Sequence, residues 1–280
     1  MESGLYVVAT PIGNFGDISH RALEVLQSVD IIAAEDTRHS QRLLQHFSIS
    51  TPAVAYHDHS DGRVTEKIVK CLADGGAVAL ISDAGTPLIS DPGYRLVRAV
   101  QDEGYTVRPV PGACAAIAAL SVSGLATDRF LFEGFLSAKA GTRENRLRAL
   151  SAESATLIFY EAPHRIEDCL AAMTGVFGAN REAVIAREIS KTFETIRRGT
   201  LPELLAFVSG DSNQQRGEIV LLVEGNKERE SELDEATAAL LRRLAEELPA
   251  KRAAAVVADL SGLRKKQLYQ YLLDIKGPQG

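Results

Sequence analysis

Two aspartates bracket a turn-rich segment of the chain. "ISDAGTPLISDPG", residues 81 to 93, follows the apolar run Ala77 to Leu80. Asp83 and Asp91, on either side of Gly-Thr-Pro, could bind a ribose, a cationic group or a metal; they could equally cap turns and the next helix. Two other segments resemble it: "TPIGNFGD" after the first apolar run and "PVPGACAA" after the fifth. Glycine there lets backbone approach a ligand closely, and proline stiffens the turn. None of the three is GxGxxG or GxxxxGK[ST], which disfavours a dinucleotide site and a nucleoside triphosphatase. "AAEDTRHS" adds Glu35, Asp36 and Arg38, with helix capping by Asp36 or Thr37 as the competing role. "FYEAPHRIED" offers Glu161, His164 and Arg165, and "REISKTFET" offers Lys191. Glu161 and Lys191 are candidate acid-base partners, or an ordinary exposed pair at strand ends. "YHDHSD" suggests a metal site, but His57 and His59 would point to opposite faces of a continuing strand, so no metal is expected.

These segments need elements to hold them. Leu5 to Ala9, Ile31 to Ala34, Ala53 to Tyr56, Val78 to Ile81 and Val107 to Val110 read as buried strands. Between them, Ser19 to Ser28, Thr37 to Phe47, Val64 to Ala73 and Tyr94 to Glu103 have apolar residues at helical spacing. The alternation predicts a largely parallel sheet, whose ligands bind beyond the carboxyl ends of the strands. Three Gly/Pro loops at that end favour a cleft over mere capping. A second series follows: Phe130 to Phe132, Thr156 to Tyr160, Ala183 to Arg187, Phe193 to Arg197 and Ile219 to Val223. Its closely spaced pair around "REISKTFETIRRG" predicts antiparallel strands and a mixed sheet. The fold class is α/β: two α/β domains, residues 1–124 and 125–226, with a hinge at Ser123 to Asp128. Residues 227–280 form a helical tail, with two helices around Ser261-Gly262 resembling a helix-turn-helix, either to bind nucleic acid or to cap the second domain or a dimer.

The 280 residues are 45% hydrophobic and 24% charged, with no tryptophan, as in a globular protein. No run approaches a membrane span and "MESGLYVVAT" lacks the basic start of a secretion signal, so a cytoplasmic protein without a membrane partner is expected. Cys71, Cys114 and Cys169 have neither disulfide nor zinc spacing. The net charge of -6 argues against a globally basic nucleic-acid binder. Yet from Lys251 onward six Lys/Arg face two Asp, and Arg264, Lys265 and Lys266 sit where a helix begins. The helix dipole disfavours cations there, which points to an external polyanion.

Taken in order, "VATPIGNFGDISHRALEVLQSVDIIAAEDTRHSQRLLQHF", "HDH", "ISDAGTPLISDPGYRLVRA", "PVPGACAAIAAL", "FLFEGFLSAK", "LIFYEAPHRI", "REISKTFETIRRG" and "GEIVLLVEG" resemble the tetrapyrrole (corrin/porphyrin) methylase family, in its branch that acts on ribosomal RNA. The resemblance spans nearly the whole chain. It implies an S-adenosylmethionine-dependent enzyme, usually a homodimer, that methylates the ribose 2′-hydroxyl of a cytidine in the decoding centre of small-subunit (16S) ribosomal RNA. The donor would lie between the two domains, against Pro11, Ser82, Asp83, Ala84, Gly85, Ala113, Cys114, Ala116, Leu136, Tyr160 and the strand pair near Gly217. Glu161, Lys191 and Arg38 are the candidates for handling the hydroxyl proton. Many relatives read PGPSA where this chain has "PGACA", so Cys114 stands in place of a hydroxyl donor. Two rivals remain open. A tetrapyrrole or corrinoid precursor C-methyltransferase would share the donor site but need room for a macrocycle. A non-enzymatic RNA-binding protein would need the tail and not the three loops.

Overall fold

The computed structural model describes residues 1–57, 62–227, 233–263 and 265–276. Asp58, His59 and Asp61 of the His/Asp run, and Arg264 of the basic run, lie outside the described residues.

The first sheet contains β1 (Gly4–Val8), β2 (Ile31–Ala34), β3 (Ala53–Ala55), β4 (Ala77–Ile81) and β5 (Val107–Val110), in the order β3-β2-β4-β1-β5, every pair parallel. Helices cover both faces, so β2 and β4 read as unbroken apolar runs, and all five residues of β4 are buried. Alternate residues separate the two cores. Tyr6, Val8, Ala79 and Ile81 pack under α1 (His20–Ser28) and α2 (Thr37–His46). Leu5, Val78 and Leu80 pack under α3 (Gly62–Ala73) and α4 (Tyr94–Asp102). Burying each Leu or Ile of these layers contributes about 1.5–3 kcal/mol.

The second sheet takes β6 (Phe130–Phe135), β7 (Thr156–Glu161), β8 (Glu182–Arg187), β9 (Thr195–Thr200) and β10 (Ile219–Val223), in the order β6-β7-β10-β8-β9. It is mixed: β6 and β7 are parallel and the other pairs antiparallel. One face lies under α6 (Ala140–Leu150), α7 (Ile166–Phe177) and α8 (Leu201–Gly210). The other meets α5 (Ala115–Ser123), whose Ala116, Ala119 and Leu120 pack on Ile158, Val184 and Val220. Thus α5 follows the first sheet in the chain but packs on the second, and the expected hinge comes after it. β9 also begins later than its apolar pattern predicts. Arg187 donates to the carbonyl of Phe193 at 3.1 Å and to Thr195 Oγ1 at 3.2 Å, which holds that stretch as a turn and leaves Phe193 exposed.

In the tail, α9 (Glu235–Glu247), α10 (Ala250–Ser261) and α11 (Lys265–Lys276) bury Leu241, Ala253, Ala254, Val257, Leu268 and Leu272 among themselves. The cluster contains no residue of either sheet, so the tail has a core of its own. Lys265 and Lys266 are exposed at the start of α11. Among the described residues, no helix is long and apolar enough to cross a membrane.

Candidate active site

β1 and β4 are neighbours, so their carboxyl ends deliver two loops side by side. Thr10 N donates to Gly85 O at 2.8 Å, and Gly85 N donates back to Thr10 O at 3.1 Å. Gly85 holds φ at +82°, where a side chain is strained. Two residues without that freedom also lie in the left-handed region, Leu88 at φ +73° and Ser90 at φ +67°. Such backbone costs of order 1–3 kcal/mol per residue and concentrates at ligand sites. The neighbouring loops are tied in too. Asp36 N donates to Asp83 Oδ1 at 3.1 Å, and Thr86 Oγ1 donates to the carbonyl of Ala113 at 2.9 Å. Asp36 caps α2, as one sequence reading expects. The following helix, α4, starts from Gly93 with no side-chain cap.

These loops and the ends of β7 and β10 in the second sheet line a cavity of about 480 Å³, within the range of small-molecule sites. Ile12, Ile89, Tyr160, Ile189, Ile219 and Val220 supply apolar wall. Five carboxyl groups line it (Glu35, Asp83, Asp91, Glu161 and Glu218), with no Lys, Arg or His among the described residues. The crowding shows in their acidity. Burial foremost pushes Asp91 up to about 6, helped by the charges of Glu35 and Asp83 and opposed by a hydrogen bond from Ser82. Burial likewise raises Glu35, with Asp83's charge adding to it and an N–H from Asp83 opposing it.

Asp91 therefore carries a stability cost that depends on pH. Its carboxyl titrates near 6 in the fold against 3.8 ordinarily, so the cost is complete above about pH 6 and gone below about pH 4. Asp91→Asn is expected to stabilise the protein at pH 8 by about 1–2 kcal/mol, after discounting for partial exposure, and to change nothing at pH 3.5. Thermal melts at the two pH values check this.

Cys114 sits at the N-cap of α5 and makes no capping hydrogen bond. The phenol of Tyr160 takes over that task, accepting from Ala116 N at 3.2 Å across from the second sheet. The helix start is thus capped by a hydroxyl from β7 and not from its own loop. Tyr160→Phe is expected to cost about 1 kcal/mol, the worth of a helix cap, and Cys114→Ser in that background to restore part of it. Denaturant titration of the three proteins measures both changes. Burial also raises the Tyr160 phenol, which stays protonated.

A second cavity of about 230 Å³ shares Ile12, Asp83, Ala84 and Glu218 with the first. Its further lining is cationic, with His39, Arg42 and Lys191. Lys191 lies across Gly13, where a Cβ would come within 2.4 Å of its side chain, so glycine is required by close approach. Its ammonium meets Glu188 at 2.7 Å and Glu218 at 2.9 Å. Despite burial, which acts against the charge, those two carboxylates hold the Lys191 pKa above its ordinary value.

The sequence-derived residues separate accordingly. Asp83, Ala84, Gly85, Cys114, Tyr160 and Glu161 line the larger cavity, and Pro11 and Ser82 the smaller. Ala113, Ala116 and Leu136 are close behind: Ala113 accepts from Thr86, Ala116 donates to Tyr160, and Leu136 accepts from Arg165 at 2.7 Å. Glu161 and Lys191 are not partners. Glu161 is buried against Arg165 at 3.4 Å, and Lys191 is ion-paired elsewhere, because they leave different strands toward different cavities. Nor is Lys191 the lowered-pKa amine that base chemistry would want. Arg38 is 89% exposed, paired with Asp36 at 3.1 Å, and lines neither cavity. Glu218 and Ile189 were missed as site residues; only the fragments containing them pointed this way.

A model of the tetrapyrrole (corrin/porphyrin) methylases matches residues 4–205, and one of the RsmI C-terminal HTH domain matches residues 231–276. A ribosomal RNA small subunit methyltransferase I of Pseudomonas aeruginosa is 58% identical over 98% of both chains. The protein of that name from Escherichia coli O157:H7 is 52% identical over 98% of this chain and 96% of its own. Among solved structures, a cobalt precorrin-4 methyltransferase has a TM-score of 0.60 at 16% identity, covering 79% of this chain and 94% of its own. A uroporphyrin-III C-methyltransferase from Thermus thermophilus, complexed with S-adenosylhomocysteine, has a TM-score of 0.54 at 15% identity, covering 79% and 97%. At such identities these two show the fold alone.

Proposed function

The chain belongs to the tetrapyrrole (corrin/porphyrin) methylase family and, within it, to the ribosomal RNA small subunit methyltransferase I group; on that premise we propose that it moves a methyl group from S-adenosylmethionine to the ribose 2′-hydroxyl of a decoding-centre cytidine in small-subunit (16S) ribosomal RNA. One observation carries the donor half: a cleft with five carboxyl groups and, among the described residues, no cationic side chain suits a ligand bearing a sulfonium and an ammonium. When bound, that ligand supplies a methyl group open to in-line displacement. The residues around it orient and shield. Asp83 and Asp91 offer negative charge, the bare backbone at Gly85 allows close approach, and Ile89, Ile219 and Val220 offer a dry wall for a flat ring.

The smaller cavity suits the acceptor, because His39, Arg42 and Lys191 match a phosphate-bearing strand. Asp83 belongs to both cavities and has no cationic ion-pair partner among the described residues. We assign it the hydroxyl proton. Lys191, held protonated, positions the strand, and Glu161 with Arg165 anchors the backbone at Leu136. The cytidine and the 2′-position rest on the motif resemblance. Incubation with labelled donor and immature small subunits, followed by mapping, is expected to place the label on one ribose of the RNA. Label on a base, or none on the RNA, would overturn the reading.

The cytoplasm, where ribosomes are assembled, is the expected place of work, and a homodimer the expected form. α5 is largely apolar and leaves Ile117 50% and Val122 56% exposed, which a second copy would cover. Sedimentation is expected to show a dimer for the wild type and a weaker one for Ile117→Asp; a fully active monomer would defeat the proposal.

A further inference from the structure

α2 carries Arg38, His39, Arg42 and His46 on its exposed face and contains no Asp or Glu, in a chain whose net charge is -6. Asp36, the acid at its N-cap, is held by Arg38. Arg42 stands at the mouth of the smaller cavity with no ion pair or hydrogen bond among the described residues. Beside it is Phe15, 39% exposed and also lining that cavity. Its ring is braced by His46 at 4.6 Å and, edge-on, by Phe47 at 6.0 Å. Cations spaced along a helix with a braced, half-open aromatic beside them are what a single strand with splayed bases needs: charge for phosphates and a flat surface for a base.

We propose that the α2 face and Phe15 form the track for single-stranded RNA entering the smaller cavity. Arg38 and Arg42 contact phosphates, and Phe15 stacks a base adjacent to the acceptor. The inference rests on the smaller cavity being the acceptor side, and it is independent of the tail.

The test uses full-length protein, a short unstructured RNA oligonucleotide and immature small subunits. For Arg38→Gln with Arg42→Gln, the slope of log affinity against log salt on the oligonucleotide should flatten by about 1.4, at roughly 0.7 per single-strand contact. Phe15→Leu, which keeps the apolar packing on Phe47, should weaken binding about tenfold with the slope unchanged. Donor affinity should stay at the wild-type value in both. Unchanged slope and affinity in both variants would overturn the track. Loss of subunit binding with normal oligonucleotide binding would overturn it as well, since the face would then meet a ribosomal protein. If the wild type labels no small-subunit RNA, the parent reading fails and this inference goes with it; if it does label, a failure of the variants counts against the track alone.

Discussion

Asp83→Asn is expected to lower the rate of methyl transfer by about 10²–10⁴, the usual worth of a positioned general base. The substitution is nearly isosteric. Its remaining carbonyl oxygen can still accept from Asp36 N, so the clasp between the β2 and β4 loops survives and the loss is chemical. Donor affinity should fall less, because Asp91 and Glu35 still line the cleft. Single-turnover rates across pH, with donor binding measured separately, distinguish the two effects. A variant rate within threefold of wild type would remove Asp83 as the base and leave Glu218, the other carboxylate of the shared wall, to be tested next.

Gly85→Val should weaken donor binding at least a hundredfold. The residue sits at φ +82°, and a Cβ there would come within 3.2 Å of Ile12 Cγ2 and 3.6 Å of the Ala113 carbonyl. A β-branched side chain must therefore push the β4 loop off Thr10 or fill the space a ligand would approach. The strain is of order 1–3 kcal/mol, a cost the buried β4 layer can carry without unfolding. Gly85→Ala should fall between wild type and Val. Calorimetry of donor binding, with a thermal melt as control, gives the answer, and unchanged affinity would take this loop out of the site.

Much of this architecture was legible from residue order. The unbroken apolar runs of β2, β4 and β10 predicted buried strands, because a strand covered on both faces has no polar side to show. The Gly/Pro loops that follow β1, β4 and β5 predicted a cleft, since a parallel sheet places the carboxyl ends of its strands together. Motif order carried the family. Local sequence pointed to Asp83 and Gly85, and the resemblance added Cys114 and Tyr160; all four line one cavity.

What residue order could not decide was which charges face each other. Glu161 and Lys191 looked alike as strand-end charges, yet one is buried on Arg165 and the other bridges Glu188 and Glu218. The same holds for Asp91, whose raised pKa comes from burial beside Asp83 of its own loop and Glu35, far from it in the chain. It holds for α5, joined to the first sheet but packed on the second, and for Tyr160, which caps it. Sequence determined the strands, the helices and the chemistry available at each turn, because propensity and periodicity are local. Tertiary structure alone decided partners, burial and which cavity each charge lines, with His39, Arg42 and Lys191 on the smaller one and Asp83 and Glu218 shared by both, because electrostatic energy depends on distance through space and on exclusion of water.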